Sequence, residues 1–217
     1  MSVGNKHRLN ILPGRGSDSG WVQGRVEMGA AALVCLGHSD DPPTSLSFPE
    51  QDLVVAFSGR PRGPIPWGAE AWDRFTESMA LLSEEQSSRL ILRASAGHVL
   101  ADAPACMGWL DRQRDEPNAV GVALTPASML VPAQLANLEE HFDRMFHYLS
   151  ARSRLIIVED AVPDSRGTSM RGRLVGGGDL PGSLLGEMID TFVDPKIPVL
   201  VHARDDRSAR SWLWPDR

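Results

Sequence analysis

The sequence predicts an α/β fold, a single shortened (β/α) barrel of seven or eight parallel strands running through residues 1–217. Three observations predict it. Short runs of Val, Ile and Leu recur along the chain and read as continuously apolar, as parallel strands covered on both faces do. Amphipathic helical stretches lie between several of them, the alternation that builds either an open doubly wound sheet or a closed barrel. Seven such runs in succession favour closure. A chain of 217 residues falls short of the roughly 250 typical of that architecture, so trimming is expected near the N-terminal third.

The strands are read at residues 8–12, 32–36, 53–57, 90–92, 120–124, 155–158 and 198–201. Between the third and fourth, Trp72, Phe75, Met79 and Leu82 share one helical face. Leu100, Ala103, Met107 and Leu110 make a second stripe, ended by Pro117. Leu135, Leu138, Phe142, Met145 and Leu149 form a third, and Leu184, Leu185, Met188, Ile189 and Phe192 a fourth, ended near Pro195. Residues 37–51 join the second and third strands, and Asp41, Pro42 and Pro43 break any helix there. One crossover helix is therefore missing or very short. After the last strand Trp212 and Trp214 need apolar cover, expected against the first helix, with an exposed hook for a second subunit as the alternative.

Composition narrows the function. With 42% hydrophobic and 23% charged residues the chain can bury a core, which excludes disordered and disulfide-framework classes. No apolar run approaches the roughly 18 residues of a membrane span, and the first 13 residues lack a signal-peptide core. A cytoplasmic protein with no membrane partner is expected. Cys35 and Cys106 lie in apolar surroundings and read as buried thiols. A net charge of −6 argues against nucleic acid as the main partner. No GxxxxGK[ST] or strand-linked GxGxxG fingerprint is present.

In this architecture functional side chains collect just after the strands, so those positions are the candidates. They include Arg60 and Arg62, Arg93 and His98, Thr125 and Ser128, Glu159 and Asp160, and His202 and Arg204. Glu159 and Asp160 offer a carboxylate pair for general acid/base work, although neighbours on a strand face opposite ways and only one can point into the mouth. His98 and His202 are candidate proton shuttles. With Arg171 and Arg173 from the glycine-bearing stretch before the last helix, the arginines would converge as an anion-binding mouth. The run Gly176, Gly177, Gly178 leads through Asp179 and Pro181 into a helix, a pattern that reads first as a helix start and second as a phosphate cradle.

The order of these segments resembles the xylose isomerase-like TIM-barrel superfamily of sugar and sugar-phosphate isomerases and epimerases, which also includes endonuclease IV-type enzymes. "LVVAFSG" looks like its third strand and "RLILRAS" like its central Leu-x-Leu-Glu-Asn strand. "NAVGVALTPASML" is similar to the strand bearing Asp-x-x-His, "RLIIVEDA" to the one ending in His-x-x-Asp, and "GGGDLPGSLLGEMI" to the turn opening the penultimate helix. The resemblance covers about residues 30–204. It implies a divalent metal at the strand ends, yet the ligand positions fall on Arg93, Thr125, Ser128, Ile157 and His202, and neither arginine nor isoleucine can coordinate a hard cation.

The sequence thus points to an isomerase- or epimerase-like barrel taking a small sugar or sugar phosphate. Asp160, Glu159 and His202 are the catalytic candidates, and Arg60, Arg93, His98, Arg173 and Arg204 the ligand-binding ones. No cofactor and no metal residue is expected, a divalent ion being admissible only with altered ligands. The alternative is a catalytically inactive barrel acting as a ligand-binding or scaffolding subunit, with a homo-oligomer or a partner subunit as its assembly. A side-chain-filled mouth would favour that alternative.

Overall fold

A computed structural model describes residues 9–12, 26–28, 31–36, 53–59, 68–116 and 119–217, with side chains from residue 55 onward. The apolar runs form strands β1 (Leu9–Leu12), β3 (Ala31–Leu36), β4 (Leu53–Phe57), β5 (Leu90–Arg93), β6 (Gly121–Leu124), β7 (Leu155–Val158) and β10 (Val199–His202). A short β2 (Val26–Met28) joins them, and the sheet order is β1-β10-β7-β6-β5-β4-β3-β2. All pairings in it are parallel except β2 with β3, so one of the eight strands departs from the expected all-parallel set.

The sheet curls. Val55, Ile91, Ala123, Leu155, Ile157 and Leu200 come from five strands and gather as one apolar cluster on the concave face. The intervening residues Ala56, Leu90, Leu92, Val122, Leu124, Ile156, Val158, Val199 and Val201 belong to the larger core on the helix-covered face. Alternation along each strand accounts for this division, and burial on both faces accounts for the continuously apolar sequence. The hydrogen-bonded order ends at β1 and β2, and among the described residues no ladder joins them, although their backbones come near one another. The described residues thus form a curled, largely parallel sheet, a partial barrel in keeping with the expected shortened one.

The helices follow the predicted stripes. Helix α1 (Ala69–Ala80) buries Phe75, which meets Trp109 of α3 (Ala103–Arg112) edge to face at 4.9 Å. Helix α2 (Glu84–Arg89), not foreseen, starts on a capping box in which the Ser83 hydroxyl accepts from Gln86 N–H and the Gln86 amide oxygen accepts from Ser83 N–H. The Asp102 carboxylate caps α3, accepting from Ala105 N–H at 2.9 Å, so Leu100 lies before the helix. Pro126 opens a one-turn helix α4 (Pro126–Met129) directly after β6, and α5 (Leu138–Leu149) and α6 (Gly182–Phe192) complete the layer. The Asp205–Ser208 box opens α7 (Asp206–Leu213), whose main partner among the described helices is α6. Trp214 is buried there and donates to Asp190 Oδ2 at 3.0 Å.

An unforeseen hairpin follows β7: β8 (Asp160–Pro163) and β9 (Met170–Arg173) pair antiparallel as a separate two-stranded sheet touching α4. The Asp164 carboxylate fixes its turn by accepting from Arg166 and Thr168 N–H and from the Thr168 and Ser169 hydroxyls. Cys106 is a free, buried thiol whose pKa burial pushes up to about 12, which leaves it protonated and unreactive. Cys35 lies on β3 outside the described side chains, and residues 37–51, including the missing crossover, fall outside the described residues. Among the described residues no helix is long and apolar enough to cross a membrane.

Candidate functional site

Counting by twos from the concave cluster locates the site. Val55 leads to Phe57, Ile91 to Arg93, Ile157 to Glu159 and Leu200 to His202, so these four occupy the concave side at the C-terminal end of the strands, one layer above the apolar floor. Phe57 pairs with Arg93 in the β4–β5 register. An apolar floor beneath a charged layer at this end of a barrel sheet is where ligand sites occur in such folds.

The layer is organised by Glu159. Its Oε1 accepts from Arg93 Nη2 and, at 2.7 Å, from Ser128 Oγ, while Arg93 Nη2 also donates to Ser128 Oγ. Its Oε2 is buried with no hydrogen-bond partner among the described residues. Arg93 and Glu159 are each only 2% exposed, a placement that a charge tolerates when its counter-ion is desolvated with it. The Arg93 guanidinium also lies 5.0 Å from the Phe57 ring centroid, and the buried His98 ring stacks on Phe57 at 4.8 Å.

His202 is half-buried at the edge of this layer and hydrogen-bonds the backbone of Arg173. Burial lowers its pKa below the usual 6.5; the neighbouring Glu159 charge opposes that shift and the Arg93 charge adds to it. Near neutral pH the imidazole is uncharged, able to accept a proton at one nitrogen and donate from the other.

Strand β9 covers the layer. A Cβ at Gly172 would lie 2.7 Å from Glu159 Oε2, so only glycine allows β9 to approach this closely. Since Gly172 faces Glu159, alternation turns Arg171 and Arg173 to the other side of the hairpin. Arg173 pairs in register with Asp160, whose carboxylate is fully buried and also turned away from Glu159. Asp160 Oδ2 accepts from Gly178 N–H at 2.7 Å, and Oδ1 accepts from Leu180 N–H at 3.0 Å and Ala161 N–H at 2.8 Å. It thereby ties the glycine run to the base of the hairpin.

The structure therefore brings together Arg93, Glu159, His98 and His202 and separates Asp160 and Arg173 from them. Arg204 is exposed on the loop before α7, and Arg60 and Arg62 fall outside the described residues. Ser128, read in the sequence as a strand-end position and as the place of one of the family's metal ligands, and Phe57 and Gly172, not singled out there, complete the site. The period-two count would have found Phe57. Gly172 needed the hairpin, for which the Asp164–Gly167 turn between Val162 and Met170 was the available signal.

The residues present do not fit a divalent metal. A guanidinium already occupies the Oε1 side of Glu159, where its charge would repel a cation, and Ile157 lies in the apolar floor. Among the described residues no three His, Cys, Asp or Glu side chains gather as a ligand set.

No family model matches the chain, and no curated protein does. Among solved structures it is similar to a xylose isomerase-like TIM barrel protein from Mycobacterium smegmatis in complex with magnesium, with 12% identity and a TM-score of 0.47. The match covers 76% of this chain and 63% of that one, so the chain spans less than two thirds of that protein's length.

Proposed function

We propose that this chain is an isomerase- or epimerase-like barrel that binds a small polyhydroxylated, anionic ligand such as a sugar phosphate at the strand ends and moves a proton on it without a metal. One observation carries the reading: Glu159 holds one carboxylate oxygen in hydrogen bonds to Arg93 and Ser128, while the other has no hydrogen-bond partner among the described residues. A general base is oriented in this way, with one oxygen anchored and one available.

Glu159 Oε2 would take the proton from the carbon beside the ligand's carbonyl. The electron pair of the broken C–H bond forms the C=C bond, and the carbonyl π pair moves onto oxygen. The fixed charge of Arg93 stabilises that developing negative charge without reorganising. Neutral His202 passes a proton from the neighbouring hydroxyl oxygen to the former carbonyl oxygen, and Glu159 returns its own to the former carbonyl carbon, giving the isomer with no net oxidation; an epimer would need a second proton donor on the opposite face of the same carbon. Arg204 at the exposed rim, and Arg60 by its sequence position, would meet the anionic end. Gly172 covers Glu159 Oε2, so the β8–β9 hairpin has to lift for the ligand to enter, as active-site loops commonly do.

The deep burial of Arg93 and Glu159 favours a second reading, a catalytically silent barrel serving as a ligand-binding or scaffolding subunit. Calorimetric titration of the purified protein with a ketose phosphate, the same sugar without phosphate, and inorganic phosphate, followed by deuterium wash-in from solvent into the sugar that binds, separates the two. Saturable binding of the phosphorylated sugar, weakened about tenfold by Arg204→Ala while any binding of the plain sugar is unchanged, together with wash-in supports the first, and the same binding without wash-in supports a silent ligand-binding subunit. No heat with any of the three favours the scaffold.

A further inference from the structure

We infer that Ser128 is a positioning residue that decides which oxygen of Glu159 faces the ligand. The inference rests on the proposed proton-transfer role of Glu159. A serine hydroxyl has one proton to give and two lone pairs. Here Arg93 Nη2 donates into a lone pair of Ser128, so the serine proton is directed elsewhere, and it goes to Glu159 Oε1 at 2.7 Å. Arg93 reaches the same Oε1, so the three groups form a closed ring in which Arg93 donates twice, Ser128 accepts once and donates once, and Glu159 accepts twice. Both donors fall on Oε1, and among the described residues Oε2 receives none.

The backbone of Ser128 is held as firmly as its side chain. Its N–H donates to Thr125 O at 3.1 Å, and its carbonyl accepts from Ala96 N–H at 2.8 Å. That second bond ties α4 to the loop after β5, the strand that carries Arg93. Thr125 closes the same join, its hydroxyl donating to Ala94 O. The ring therefore spans the ends of β5, β6 and β7, and Ser128 is its only neutral member. Arg93 by itself could satisfy either carboxylate oxygen, because its fork presents several donors. Ser128 removes that freedom.

Two measurements on Ser128→Ala and Ser128→Thr test this. Crystal structures of the full chain give a readout independent of activity. In Ser128→Ala the Glu159 carboxylate is expected to rotate by more than about 30° or to take two orientations, since one of the two bonds fixing it is gone. In Ser128→Thr, which keeps the hydroxyl, it is expected to stay. An unchanged carboxylate in Ser128→Ala overturns the inference. If Ser128→Ala does not fold, Ser128→Cys, of similar size but a weak donor, is expected to show the same rotation. The second measurement follows deuterium wash-in from solvent into a ketose phosphate. Ser128→Ala should lower kcat about 10- to 100-fold with KM within about twofold, and Ser128→Thr should recover most of the loss. A loss in KM alone, or no rescue by threonine, contradicts positioning. Absence of wash-in from the unaltered protein counts against the proposed function, while the crystal structures still decide the role of Ser128.

Discussion

Arg93 brings a full charge into a site from which water is excluded, and its removal leaves the Glu159 carboxylate buried without a cation. Breaking one side of such a pair costs about 3–5 kcal/mol. Arg93→Ala should therefore lower the urea midpoint sharply, whereas an unchanged midpoint would mean that Glu159 reaches solvent or another cation. The sequence alone presents Arg93 as an open guanidinium at the mouth, because nothing local says that Glu159, 66 positions away, will meet it. The choice between Glu159 and Asp160 was more legible. Alternation allows only one to face the concave side, and counting from Ile157 selects Glu159. His202 adds a pH dependence. The unfolded side chain takes up its proton near pH 6.5, the folded one only at lower pH, so between those values the unfolded chain binds more protons. Stability should fall as pH drops from about 6.5 and level off once folded His202 is also protonated. Denaturation curves of His202→Gln should lack that fall; an identical slope in the variant would contradict the assignment.

At the scale of elements, local rules specify the strands well, because a run buried on both faces must be apolar throughout. The long helices are equally clear, since each has one stripe. The short pieces are not: α4 has a single turn and no room for a period, and the β8–β9 hairpin alternates too briefly among glycine, arginine and proline. These are the pieces that complete the site, with Ser128 on α4 and Gly172 on β9. The tail shows a different limit. Trp212 and Trp214 clearly require cover, but the cover is a notch on α6 made by Gly182 and Gly186, whose missing side chains admit Trp212 and the Leu213 backbone. Trp214 donates to Gly186 O at 3.3 Å across that notch. A Cβ at Gly186 would meet the Leu213 carbonyl, so Gly186→Ala should push α7 off α6 at a cost of about 1–3 kcal/mol. Hydrogen exchange over residues 206–214 checks it: faster exchange in the variant is expected, and unchanged protection would place α7 elsewhere.

For the whole molecule, the curled sheet turns a one-dimensional parity into a shared place. Residues from β4, β5, β7 and β10 that never approach in sequence occupy one layer because each stands two positions beyond an apolar residue of the same floor. A flat sheet would leave them in a row. Curvature was legible only indirectly, through the number of parallel strands, and the antiparallel β2 was not, since a three-residue strand carries too little pattern. Under the proposed function this layer moves a proton, and Glu159 is the group that takes it. Deuterium wash-in measures that step directly: the protein is incubated in D2O with a panel of ketose and aldose phosphates, and exchange at the carbon beside the carbonyl is followed by proton NMR. Exchange is expected with at least one member of the panel, reduced at least 100-fold in Glu159→Gln. Exchange that persists unchanged in Glu159→Gln, or none with any sugar phosphate, would contradict it.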